Sequence, residues 1–256
     1  MAKATTTPIV PKTARRTKQS SAKADPDAGK FDQREALYNG GAIGAAHEIA
    51  VGAERITSSR GLMLDIDLKL IKSGGLFETV GDDPFAFYAQ VFKPLLARHS
   101  LLKKAEVRMS GGGLHALLWL DEPIEFFSDD ERDRWAITTQ IVQYALPSDP
   151  RAPGITAMTR PVGAINSKNG ARVVQLAPGA PCTAGEIEAF RDELNASPFK
   201  SLVQLWTGSD RLEPCPCCRA EGSSLAVLDH RGRCYKTCGT VSIETFVSEA
   251  LVDAPE

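Results

Sequence analysis

Five of the six cysteines fall between Cys215 and Cys238. A segment that short has little core of its own and needs a cross-link to fold. It reads Cys215-Pro-Cys-Cys218, then, after fifteen intervening residues, Cys234-Tyr-Lys-Thr-Cys238-Gly. Thiolates spaced as Cys-x2-Cys and Cys-x3-Cys converge tetrahedrally on Zn²⁺. Disulfides are the competing use; they are disfavoured here because the N-terminus lacks the apolar core of an export signal. Cys215, Cys218, Cys234 and Cys238 are therefore the expected zinc ligands, with Cys217 a spare thiol and His230 an alternative ligand. Residues 225–228 and 233–235 read as a hairpin between the two knuckles, and 241–252 as a closing helix. Cys182 stands apart and reads as structural.

The rest of the 256-residue chain has ordinary globular texture, with 43% hydrophobic and 24% charged residues. That excludes a collagen, a coiled-coil rod and wholesale disorder. No run approaches the ~18 apolar residues that span a bilayer, so the expectation is a cytoplasmic protein with no membrane partner. Charge is uneven. Residues 1–30 carry Lys3, Lys12, Arg15, Arg16, Lys18, Lys23 and Lys30 against Asp25 and Asp27, a net +5. The remainder has 23 basic against 30 acidic side chains, a net −7. An acidic body binds nucleic acid only through a local groove or a metal. Residues 1–35, with almost no large apolar side chains, read as a disordered basic tail. Residues 36–198 read as the main domain and 199–256 as the zinc module.

Within the main domain, residues 61–68, 105–110, 114–120 and 172–176 read as strands. Apolar residues at helical spacing mark 84–103. Ser128-x-x-Glu131 and Thr183-x-x-Glu186 are capping boxes opening two helices. Interleaved strands and helices indicate a layered α/β or α+β fold.

Three groups of residues carry chemistry. Asp65 and Asp67 lie in an apolar strand, so alternation turns both carboxylates to one face, about 6.5–7 Å apart at Cα. Hard divalent ions such as Mg²⁺ take carboxylate oxygens together with substrate phosphates, so the pair reads as a phosphoryl-transfer metal site; a solvated strand-end pair is the plainer alternative. Ser110-Gly-Gly-Gly-Leu-His115 joins two strands. Gly111, Gly112 and Gly113 allow close backbone approach and expose N–H groups, and His115 shares a strand face with Leu117 and Trp119. Asp149 precedes a turn-rich segment holding Arg160, Asn166, Lys168 and Arg172, residue types suited to phosphate, sugar or base contacts.

In this order the motifs resemble the archaeo-eukaryotic primase superfamily, in particular its primase-polymerase branch found in plasmids, phages and other mobile elements. The residues that carry the resemblance are Asp65-Ile-Asp67, Ser110-Gly-Gly-Gly-Leu-His115, Asp149 and Arg160-Pro-Val-Gly-Ala-Ile-Asn166-Ser-Lys168, spread over residues 40–195. Val162 is a departure, since the usual run has Pro-Gly. Asp121 and Glu122 are alternatives to Asp149. The cysteine segment resembles a primase-type zinc ribbon. The resemblance implies a catalytic core with an RRM-like sheet that acts by two-metal nucleotidyl transfer. Asp65, Asp67 and Asp149 would hold Mg²⁺ or Mn²⁺. His115, Ser110 and the glycine turn would contact the triphosphate, while Arg160, Asn166 and Lys168 would bind nucleotide or template. Single-stranded DNA and nucleoside triphosphates are the implied partners, with unwinding by a separate helicase or replication protein. A catalytically inactive DNA-binding initiator or regulator, and a metal-dependent nuclease, are the competing functions.

Overall fold

The computed structural model describes residues 31–32, 53–70, 76–77, 83–148, 154–157 and 159–250. Its centre is a long antiparallel pair, β2 (Ile56–Asp67) and β4 (Gly113–Glu125). With β1 (Phe31–Asp32), β3 (Glu106–Met109) and β5 (Val174–Ala177) they form a sheet in the order β1-β2-β4-β3-β5, antiparallel except for β1 with β2. The mixed α/β architecture with antiparallel sheets agrees with the sequence pattern. The stretch read as a basic tail lies outside the described residues apart from Phe31–Asp32, as does the start of the main domain near residue 36.

Both central strands run longer than the apolar pattern indicates. Gly61 is the reason in β2. A Cβ there would sit 2.3 Å from the Leu118 carbonyl oxygen, and the register shifts between Ser59 and Gly61, so the strand kinks and continues. At the other end Leu68 leaves the strand for a 3-10 turn, Leu68–Leu70.

One sheet face is apolar. Leu62, Leu64 and Ile66 of β2, Val107 and Met109 of β3, and Leu114, Ala116 and Leu118 of β4 are buried in the main core. The segment expected to be one helix over 84–103 is broken. Asp83 caps α1 (Pro84–Phe87) through the Phe85 N–H, a π turn follows over Tyr88–Phe92, then α2 (Lys93–Leu96) and a 3-10 turn (Leu102–Lys104). Pro94 supplies no N–H for a helical bond, and the wide π turn ahead of it absorbs the mismatch. Helix α3 (Asp129–Tyr144) starts at Ser128, whose hydroxyl accepts the Glu131 N–H at 3.3 Å. The reciprocal arm differs from a capping box, because the Glu131 carboxylate accepts the Phe127 N–H instead. At Thr183, opening α4 (Ala184–Ala196), the box is complete.

Helix α5 (Pro198–Thr207) ends at Gly208 in the left-handed region, and Arg98 donates to the exposed carbonyls of Leu205 and Trp206. A second sheet follows, β6 (Arg211–Leu212), β7 (Leu225–Val227), β8 (Gly232–Cys234) and β9 (Gly239–Val241), closed by α6 (Ile243–Ala250). Helix α6 is shorter than the apolar run because Val241 belongs to β9 and Ser242 caps through the Thr245 N–H. The inner face of this sheet joins the main core: Phe246 meets Phe199 at 5.7 Å and Trp206 at 5.9 Å, ring centre to ring centre. Among the described residues no helix is long and apolar enough to cross a membrane.

Phe246 is 1% exposed at this junction. Phe246→Ala is expected to lower stability by about 3–5 kcal/mol in urea unfolding followed by tryptophan fluorescence. A loss under about 1 kcal/mol would show that the closing helix is not packed into a common core.

Candidate functional site

The other face of the main sheet carries a small apolar cluster of Met63, Leu117 and Ala157 and, beside it, a polar row that strand register builds. Asp65 of β2 lies opposite His115 of β4, which lies opposite Arg108 of β3, which lies opposite Gln175 of β5. Facing residues in antiparallel strands project to the same side, so this row crosses four strands on one face. Asp67 is opposite Gly113, at the end of the glycine turn. The expected alternation holds: Asp65 and Asp67 are half-buried on this face, while Leu64 and Ile66 are buried on the other.

Asp65 is fixed through its main chain. Its N–H donates to Gln143 Oε1 at 3.1 Å, and its carbonyl accepts from Gln143 Nε2 at 2.9 Å. The Gln143 amide thus stands in for a neighbouring strand along the open edge of β2. It holds the backbone and leaves the Asp65 carboxylate on the site face. Asp67 Oδ1 accepts the Lys69 N–H at 3.0 Å.

His115 is buried between two hydroxyls. Its Nε2 lies 3.0 Å from Ser110 Oγ, and its Nδ1 lies 2.6 Å from Thr159 Oγ1. Asp65 Oδ1 is 3.8 Å from Nε2. Burial, then the charges of Arg160 and Arg108, push the imidazole down to about 4. At neutral pH the ring is uncharged, so its approach to Asp65 is not an ion pair.

The glycine turn and the 159–173 segment form one unit. Ser110 N–H closes the turn on Gly113 O at 3.2 Å. Asn166 donates its side-chain N–H to Ser110 O, and its Oδ1 accepts the Lys168 N–H. Gly111 has φ +127°, and a Cβ there would lie 2.3 Å from Asn169 Nδ2. A Cβ on Gly113 would lie 2.4 Å from Ile66 O. Gly112 faces open space and is exposed. Arg160 is half-buried, Lys168 exposed, and Asn166 buried as a brace between the two turns.

The structure therefore brings Asp65, Asp67, Ser110, Gly111, Gly112, Gly113, His115, Arg160, Asn166 and Lys168 to one face and its adjoining turns. Asp149 lies outside the described residues. Asp121 and Glu122 are six and seven residues along β4 from His115, roughly 20 Å away in an extended strand, and do not join the group. The sequence reading missed Gln143, Thr159, Glu106 and Arg108. Glu106 and Arg108 carry a signal of their own, since Glu106, Arg108 and Ser110 put polar groups at every second position on the His115 face. Gln143 carries none, being one polar residue on a helix.

The second site is the thiol cluster. The ligand atoms of Cys215, Cys218, Cys234 and Cys238 all lie within 4.8 Å of one another. Cys215 and Cys238 Sγ are 3.9 Å apart, and Cys218 and Cys234 Sγ 3.8 Å. A tetrahedron with metal–sulfur bonds of about 2.3 Å has edges of about 3.8 Å, so the geometry fits Zn²⁺. Main-chain N–H groups of Lys236, Cys238 and Thr237 point at Cys234 Sγ and pull its thiol down to about 6. The Ala220 N–H also lowers the Cys218 thiol, while burial raises those of Cys215 and Cys238. Such donors favour thiolate, the form that binds metal. Cys217 is outside the cluster, its thiol pushed up to about 12 by burial, and His230 is exposed on the hairpin turn. The buried Cys182 donates to Trp119 O, and burial pushes its thiol up to about 11, consistent with an inert role.

No protein-family model matches the chain, and no curated protein matches it. Among solved structures, the chain is similar to the Cyanophage S-2L Primase-Polymerase (PrimPol), AEP domain (PP-N190), with 15% identity and a TM-score of 0.34. The match covers 54% of this chain and 63% of that one, so this chain spans less than two thirds of that domain.

Two outcomes follow from these geometries. Replacing Cys215 and Cys218 together by Ser is expected to abolish bound zinc, measured by plasma mass spectrometry of the purified protein. Zinc content unchanged from wild type would sink the four-thiol assignment. The second concerns His115, whose folded-state value of about 4 lies below the ordinary 6.5. The unfolded chain takes up a proton that the folded form refuses, so this contribution is full above pH 6.5 and is lost as pH falls toward 4. Wild type should lose more urea stability than His115→Asn between pH 7 and pH 4.5, and parallel pH profiles would contradict the assignment.

Proposed function

We propose that the chain is a metal-dependent primase-polymerase that builds short primers on single-stranded DNA. One observation carries the reading: residues drawn from three separate segments meet on one sheet face and its adjoining turns, namely Asp65 and Asp67, Ser110 with His115, and Thr159, Arg160, Asn166 and Lys168 of the 159–173 segment. The same residues carry the motif order of the primase-polymerase branch. Two half-buried carboxylates on one strand face are the donor type that a hard divalent ion takes together with substrate phosphates.

In this reading Asp65, Asp67 and Asp149 would hold Mg²⁺ or Mn²⁺, which would supply charge to offset the triphosphate and acidify the attacking hydroxyl. The chain's own residues bind and orient. The open Gly112 turn offers backbone N–H groups to phosphate oxygens, Ser110 stands beside it held by its hydrogen bond with His115, and Arg160 and Lys168 supply positive charge. Asn166 locks the two turns in register, so these donors keep fixed spacing. Residues 36–198 act as the catalytic domain and 199–256 as a zinc ribbon. Four thiolates would leave a bound zinc no open coordination position, so its role would be structural. The ribbon hairpin presents Arg231, Arg233, Tyr235 and Lys236 outward, with Tyr235 73% exposed. Aromatic stacking with cations suits a single strand held without sequence readout.

The test is incorporation of labelled nucleotides on a single-stranded template with Mg²⁺ or Mn²⁺. Asp65→Asn with Asp67→Asn should lower incorporation by about 10³-fold or more, the equivalent of several kcal/mol, while template binding persists. Wild type that binds template and makes no product would show a DNA-binding initiator or regulator. Template shortening in place of product growth would show a nuclease.

A further inference from the structure

Beyond His115 the polar row continues into a charged pair that the proposed chemistry does not use. Glu106 and Arg108 of β3 are 5% and 2% exposed. Buried charges persist only when paired and bonded, and here the bonding is dense. Glu106 Oε1 accepts from Arg108 Nε at 2.6 Å and from Gln175 Nε2 at 2.9 Å, and Oε2 accepts from Trp119 Nε1 at 2.6 Å. Burial alone would raise the Glu106 carboxyl, but these bonds hold it below its usual range, as a carboxylate. The charge of Arg108 is therefore balanced inside the sheet face, and its carboxylate partner fixes the plane of the guanidinium.

The other arm of Arg108 reaches out of the sheet. Its Nη1 donates to the Arg160 carbonyl at 3.1 Å. The preceding residue, Thr159, is 2% exposed and bonds His115 Nδ1. Two consecutive residues are thus tied to two neighbouring strands, Thr159 to β4 through His115 and Arg160 to β3 through Arg108. A loop held at a single point can swivel, whereas one held at two adjacent residues has its direction set, and with it the origin of the Arg160 side chain.

We propose that Arg108 is a positioning residue which, held by Glu106, fixes the Arg160 main chain and so aims the Arg160 guanidinium at the phosphates of an incoming nucleoside triphosphate. The inference rests on the proposed function, because it needs a triphosphate on this face. It adds that nucleotide affinity depends on a buried pair that never touches the nucleotide.

A double-mutant cycle in the full chain tests this, with equilibrium binding of deoxyadenosine triphosphate and Mg²⁺ as one readout and the KM and kcat of incorporation as the other. Arg108→Met and Arg160→Ala should each weaken nucleotide binding and raise KM by about 10- to 100-fold, and Arg108→Met, whose side chain touches no ligand, should move KM far more than kcat. Because Arg108 acts through Arg160, the double variant should bind within about twofold of Arg160→Ala alone. Arg108→Lys should not restore affinity, since one ammonium cannot span Glu106 and the Arg160 carbonyl in the same planar geometry. Glu106→Gln keeps the shape of the pair, serves if Arg108→Met does not fold, and should produce the same KM effect in milder form. Multiplicative losses in the double variant, or unchanged nucleotide affinity in folded Arg108→Met or Glu106→Gln, would overturn the positioning role alone. A wild type that binds no nucleotide would overturn the functional reading, and the role with it.

Discussion

The register of β2 against β4 is the constraint on which the rest depends. With Asp65 opposite His115 and Asp67 opposite Gly113, every acidic group of β2 near the turn faces the site, and Leu64 and Ile66 face the core. Strand side chains alternate with period two, so a slip of one residue would drive both carboxylates into the apolar layer and expose that layer to water. The penalty is large on both faces at once, which is why the register is specified so strongly. Gly61 and Gly113 reinforce it. Each sits where a Cβ would strike the carbonyl of the opposite strand, so the two strands approach closely at both ends of the paired segment.

Buried polar groups on a sheet face have to be satisfied, and here they are bonded across strands and to the loop that lies on them. Glu106 is bonded to three donors, His115 lies between two hydroxyls, and Asn166 ties the two turns together. Each buried group left unpaired would cost about 1–3 kcal/mol. The network is therefore also a source of rigidity, because moving any loop across this face breaks several bonds together. Open space remains where the network stops, at Gly112.

Much of this was legible in the chain. Period-two alternation gave the direction of Asp65 and Asp67, the Thr183 box marked the start of α4, and cysteine spacing selected the four thiols that converge. What was not legible has physical causes. The lengths of β2 and β4 depend on a glycine bulge that only a partner strand reveals. The break in the 84–103 helix depends on how the chain absorbs Pro94. Gln143 lies 78 residues from Asp65 in sequence, and nothing local says that its amide will complete a strand edge. The Glu106–Arg108 pair was visible as alternation, but its hold on Arg160 exists only once the 159–173 segment is folded over the sheet.

Charge explains why that segment matters so much. Outside the first 30 residues the chain is net −7, so its average field repels a polyanion. Near the site the balance is different. Arg108 is cancelled by Glu106 and His115 is neutral, which leaves, among the described residues, the Asp65 and Asp67 carboxylates on the sheet face and the cations Arg160, Lys168 and Arg172 on the segment beside it. All three cations lie on one short stretch, and its shape is held by main-chain bonds to Gly163, Ala164 and Asn166 as well as by Arg108. Screening erases contributions from charges beyond about 8–10 Å at physiological salt, so the distant acidic surface counts for little once a ligand is seated. Under the proposed function, phosphate recognition would be decided by how rigidly the cations of this loop are presented, and the sheet beneath it supplies bonds that hold the loop at Thr159 and Arg160.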